Sequence, residues 1–120
     1  MNSQNIFEIF NHFLETRDPS QLMELANDVE VFGSATFGDG RVYIGEKAPE
    51  KFRETISLTR VSKPNISVQI KHALVEGNHG IFFLNILKGR KTLGSALDVV
   101  ISDGKLKCFH EVKSKSKLVQ

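Results

Sequence analysis

Asp98 stands inside the apolar run Ala96–Leu97–Asp98–Val99–Val100–Ile101, where a carboxylate needs a reason. Strand alternation groups it with Gly94, Ala96, Val100 and Ser102, and sets Leu93, Leu97, Val99 and Ile101 on the opposite face. A face of small residues is what a sheet lining a cavity would present. A carboxylic acid there has its pKa raised, because desolvation penalises the charged form, and it becomes a donor or a base near neutral pH. The plainer alternative is that this face meets solvent. Glu111 belongs beside Asp98, because Ser102-Asp103-Gly104-Lys105 reads as a tight hairpin turn joining their strands. Two close carboxylates do not ionise together easily, so one would hold a proton while the other acts as base. Here the alternative is a surface glutamate paired with a lysine.

His72 shares a face with Ile66, Val68, Ile70 and Leu74, which makes it either a core histidine or a base. Asn85, grouped with Ile81, Phe83 and Leu87, is a candidate amide donor. Tyr43, the single tyrosine, is a candidate donor at the mouth of a pocket or an ordinary edge-strand aromatic. Phe10, Phe13, Phe52, Phe83 and Phe109 would supply apolar walls. His12, His79 and His110 complete a set of histidines with no metal-ligand spacing, so neither a metal nor another cofactor is expected. Gly38-Asp39-Gly40 is too short and misplaced to cradle a phosphate. Cys108 reads as a strand residue and excludes an internal disulfide.

These residues need a scaffold. The 120 residues carry 40% hydrophobic and 25% charged side chains, the profile of a globular domain, and their net charge of +2 is too balanced for nucleic acid. Lys113, Lys115 and Lys117, spaced by serines, read as part of a frayed end, with 114–120 as a flexible tail. No apolar run reaches the ~20 residues that span a bilayer, and no secretory leader is apparent. The expectation is one cytoplasmic domain over 1–120, without a membrane partner.

Ile6, Phe7, Ile9, Phe10, Phe13 and Leu14 recur at helical spacing over 4–16. Asp18-Pro19-Ser20-Gln21 opens a second, short helix to about 26, and a third runs from about 47 to 60, ended by Ser62-Lys63-Pro64. Short extended segments at 29–32 and 42–44 lie between them. From Ile66 the period is two, and turns at 77–80, 88–91 and 102–105 divide four strands. The expectation is an α+β domain, a curved antiparallel sheet wrapped around three helices of the N-terminal half.

RDPSQLMELANDVEVFG at the second helix, ISDGKLKCFHEV at the end, and the order of elements resemble the nuclear-transport-factor-2-like (NTF2-like) superfamily, which includes SnoaL-like cyclases and ketosteroid isomerases. GRKTLGSALDVVIS is similar to the penultimate strand of the isomerases, and that likeness implies for Asp98 the place of a protonated acid donating to a substrate oxygen. It also implies a Glu111 that points into the cavity. Two departures stand against isomerase activity: Phe10 falls where the family has a tyrosine, and Val31–Thr36 holds no carboxylate to serve as base.

The expected function is binding of a small, largely apolar molecule, with acid–base isomerisation, dehydration or cyclisation through Asp98, His72 and Glu111. The alternative is a non-enzymatic module with a vestigial pocket. A homodimer is expected too, covering the apolar face of Leu97, Val99, Ile101 and Val112.

Overall fold

The computed structural model describes residues 1–62 and 66–113. The proline at the expected end of the third helix, and the tail from 114, lie outside the described residues. Helix α1 spans Ser3–Thr16. Asn2 starts it with a reciprocal cap: its side chain accepts from the Gln4 and Asn5 amides, and Asn5 Oδ1 accepts from Asn2 N at 2.8 Å. Arg17 ends it in a left-handed conformation, and its guanidinium donates to the Ile66 carbonyl, fastening the helix to the first long strand. Asp18 accepts from Ser20 N at 3.1 Å and opens α2, Ser20–Glu24, which passes into a 3-10 turn at Ala26–Asp28. Helix α3 spans Lys47–Ser62.

Six strands follow this order: β1 Val31–Gly33, β2 Val42–Ile44, β3 Ile66–Glu76, β4 His79–Lys88, β5 Lys91–Ser102 and β6 Lys105–Lys113. They form one curved, unclosed sheet in the order β2-β1-β6-β5-β4-β3. The α+β architecture expected from the sequence is the one found, with one refinement: β1 pairs with β6 in parallel, Val31 opposite Cys108 and Gly33 opposite His110. The β5–β6 hairpin turns on Asp103 and Gly104, with φ of 53° and 73°, the positive values that Asp-Gly supplies readily.

The helices lie on one face of the sheet. Ile6, Phe10 and Phe13 project from α1, and Phe52 and Ile56 from α3. They meet Leu97, Val99 and Ile101 of β5 and Leu106 and Phe109 of β6, all at most 2% exposed. This corrects the expectation that the small-residue face of β5 looks inward. Burial favours the bulky face, because each large apolar side chain removed from water stabilises the fold by about 1.5–3 kcal/mol. Leu97, Val99 and Ile101 therefore need no partner subunit to cover them. Asp98, Ala96 and Val100 point away from the helices.

Candidate functional site

Cross-strand register decides which candidates share a face. The outer face carries the rows His72–Phe83–Ala96–Val112 and Leu74–Ile81–Asp98–His110, read across β3 to β6. His72 reaches it through a β-bulge. Pairing runs Ile70 to Leu84 and then His72 to Phe83, so Lys71 is an extra residue that reverses the phase of alternation. Exposed, His72 stacks on Phe83 at 6.1 Å. Asn85 keeps its expected grouping with Ile81, Phe83 and Leu87, but that group is the outer one, because Phe82, Leu84 and Ile86 are buried. Phe83, at 37% exposed, walls no interior space. Asp98 Oδ1 lies 2.6 Å from His79 Nε2, both side chains being substantially exposed.

Inside are Phe10, Phe13, Phe52, Phe109 and Glu111. Of nine phenylalanines, Phe10, Phe13, Phe32, Phe37, Phe52, Phe82 and Phe109 are at most 3% exposed. Their rings meet edge to face: Phe10 with Phe109 at 5.4 Å, Phe52 with Phe109 at 5.1 Å, Phe32 with Phe52 at 5.4 Å. The space between helices and sheet is thus filled by aromatic rings, and one of these, Phe37, comes from the β1–β2 loop.

Among the described residues, Glu111 is the charged group of this interior, 7% exposed. Because β1 runs parallel to β6, the chain leaving Gly33 beside His110 continues alongside Glu111. There Oε1 accepts from Ser34 Oγ at 2.6 Å and Thr36 N at 2.9 Å, and Oε2 accepts from Ser95 Oγ at 2.6 Å and from Thr36 Oγ1. Burial is the largest single influence and pushes its pKa up. The four hydrogen bonds together outweigh it, so the carboxyl is held below its ordinary range. Asp98 and Glu111, on opposite faces of the sheet, do not share a proton.

Among the described residues, Phe37 also borders an opening at the surface. A cleft of about 210 Å³ lies between the β1–β2 loop and α3, lined by Phe37, Gly38, Asp39, Lys51, Glu54, Thr55 and Leu58. Tyr43 stands beside it, its hydroxyl donating to Asp39 Oδ2 at 2.5 Å and its ring 5.4 Å from Lys51 Nζ. That bond, with another from the Arg41 amide, holds Asp39 below the usual carboxylate range and pushes the Tyr43 phenol up.

Cys108 is half-buried on the outer side of β6, and burial, then the charge of Asp98, push its thiol up to about 11. Such a thiol is held in its protonated form at neutral pH. Among the described residues no group of three or more His, Cys, Asp or Glu could hold a metal, and no helix is long and apolar enough to cross a membrane.

Ser34, Thr36, Phe37 and Ser95 were not candidates on sequence grounds. Ser95 left a signal, being a hydroxyl on the bulky face of β5. Ser34 and Thr36 left none, since their partner is 77 and 75 residues away.

No family model matches the sequence, and no curated protein matches it. Solved structures do. An NTF2-like protein of unknown function from Cytophaga hutchinsonii superposes with a TM-score of 0.68 at 15% identity, over 100% of this chain and 96% of that one. A ketosteroid isomerase-like protein from Kribbella flavida gives 0.67 at 10% identity, over 89% and 73%. An LEH-like epoxide hydrolase of M. tuberculosis gives 0.60 at 16%, over 90% and 75%.

Proposed function

This chain has the nuclear-transport-factor-2-like fold, and we propose that it binds a small, largely apolar molecule between its helices and the inner face of its sheet, without acid–base turnover. One observation carries the reading: among the described residues the interior packs aromatic rings around one anchored carboxylate, with a cleft at its edge. Fold alone does not carry it, because this scaffold hosts unrelated activities. The acid–base alternative requires Asp98, His72 and Glu111 to act on one substrate. A molecule touching Glu111 is separated from Asp98 and His72 by the thickness of the sheet. The solved neighbours named for isomerase and hydrolase activity make small-molecule binding the natural class to test. Titration with the uncharged fluorophore N-phenyl-1-naphthylamine should give saturable, one-to-one enhancement. A linear, unsaturable response would overturn the proposal.

We further propose that the outer face is where two copies meet. Leu74, Phe83 and Val112 are 53%, 37% and 54% exposed there, in adjacent rows of one surface. Sedimentation at micromolar concentration should show a dimer that Phe83→Lys converts to a monomer. A wild-type monomer would remove the claim.

A further inference from the structure

We propose that the segment Ser34–Gly40 is the door of the interior site, shown here closed, and that the ligand is a small ring-bearing molecule with one hydrogen-bond donor. The inference rests on the interior-binding reading above and specifies how that site opens and what it takes.

Phe37 is 3% exposed although it belongs to a loop. Its ring wedges against Phe10 at 5.7 Å and Phe13 at 6.3 Å, an edge-to-face seat that any planar ring of similar size would fill. On its outer side lies the cleft, of which Phe37 is itself a wall. Withdrawal of this one side chain would join cleft and aromatic interior into a single site. A loop ring can withdraw together with its backbone, a movement that a ring on an intact helix or strand lacks.

The loop is built to move as a unit. Gly38 N and Gly40 N both donate to the Ser34 carbonyl, at 3.1 and 3.0 Å, and Phe37 N donates to Ser34 Oγ at 3.0 Å. Residues 34–40 therefore form a compact turn folded on Ser34. Glycines bound it: Gly33 before, and Gly40 with a φ of 83° after. Three of the four bonds on Glu111 come from this same turn, through Ser34 Oγ, Thr36 N and Thr36 Oγ1. Opening would strip those donors from a buried carboxylate. An apolar ring could replace Phe37 but not the donors. A phenol or ring alcohol fills the ring's seat between Phe10 and Phe13 and returns one of the three donors, its hydroxyl on Glu111.

The probe is 2-naphthol, with naphthalene as the matched molecule lacking the donor. To lock the door, Gly38→Cys and Thr55→Cys are combined in a Cys108→Ser background. A Cβ at Gly38 would lie 3.0 Å from Thr55 Cγ2, close enough for a disulfide from loop to helix. Loss of free thiols confirms closure. The reduced form should bind 2-naphthol, and oxidation should slow association at least about tenfold, reversed by reductant. Phe37→Ala, or the milder Phe37→Leu, should bind faster than wild type. Preference for 2-naphthol over naphthalene should be about tenfold or more, the worth of one hydrogen bond to a charged acceptor.

If neither Phe37 variant binds either probe, the interior-site reading falls. If the Phe37 variants bind but the oxidised and reduced forms associate equally fast, the door is refuted while the site stands. Equal affinity for the two probes would overturn the ligand class. Hydrogen exchange at the Thr36 amide, whose bond to Glu111 breaks on opening while the bonds inside the turn persist, reads the same motion without any cross-link: probe binding should speed it, and unchanged exchange would also refute the door.

Discussion

Replacing Glu111 by glutamine keeps the shape of the side chain and removes its charge. In the native protein the two oxygens accept four hydrogen bonds, two each. Thr36 N is a fixed donor and must keep an oxygen before it, so the new amide nitrogen faces Thr36 Oγ1 and Ser95 Oγ. Those hydroxyls can rotate to accept. What is lost is charge assistance, about 1 kcal/mol per bond, offset in part by the cheaper burial of a neutral amide. The net cost should be about 2 kcal/mol, which with a urea m-value of about 1–3 kcal/mol/M lowers the midpoint by about 1 M. The pH dependence follows from the depressed pKa of Glu111. A carboxyl held lower when folded contributes stability that is fully present above its unfolded pKa of about 4.3 and is lost as pH falls through the folded value. Protonated Glu111 is nearly isosteric with glutamine, so the two proteins should converge in stability as pH falls from 5 toward 3. Urea melts monitored by far-ultraviolet circular dichroism at pH 7, 5, 4 and 3 measure this. Equal midpoints at pH 7, or a gap unchanged between pH 7 and pH 3, would refute the reasoning.

The division of candidates between two faces makes further predictions. Phe109→Ala should cost about 3–5 kcal/mol and Phe83→Ala under about 1 kcal/mol in the monomer, since one ring is enclosed and the other borders solvent; similar costs in urea melts would contradict the face assignment. Asp98→Asn should leave affinity for an interior probe within about twofold of wild type, and a larger loss would return Asp98 to the site. The Cys108 thiol, pushed up to about 11, should alkylate with iodoacetamide at a rate that climbs about tenfold per pH unit through pH 10. A plateau near pH 8.5 would show an unperturbed thiol.

Helix ends, turns and strand periods were legible in the sequence because they depend on neighbours in the chain. The Asp18 entry to α2 and the Asp103-Gly104 turn are local events, whereas the reciprocal cap of Asn2 and Asn5 on α1 was not read from the sequence. The inward face of β5 was legible too, but by size rather than by the reading first given to it: Leu97, Val99 and Ile101 fill a core, and the small residues around Asp98 do not. The side on which His72 falls was not legible. The bulge at Lys71 carries no glycine or proline to mark it, yet it moves one imidazole from an apolar face to the exposed one. The partners of Glu111 were hidden for a different reason. They depend on a parallel pairing between strands at opposite ends of the chain, which no local pattern encodes.

That parallel pairing also decides what kind of chemistry the interior can offer. A general base works best with a pKa near the operating pH, and buried carboxylates reach that range when desolvation is left uncompensated. Glu111 is desolvated, but the loop carried in by β1 supplies three donors and β5 a fourth, and the balance moves its pKa down instead. An ionised, fully engaged carboxylate is a poor proton acceptor for a carbon acid and a good acceptor of hydrogen bonds. With the door closed it holds the loop. With Ser34 and Thr36 withdrawn it would hold whatever donor replaced them. On the proposal made above the same residue is thus the latch of the closed loop and, once the loop withdraws, the acceptor for the incoming hydroxyl.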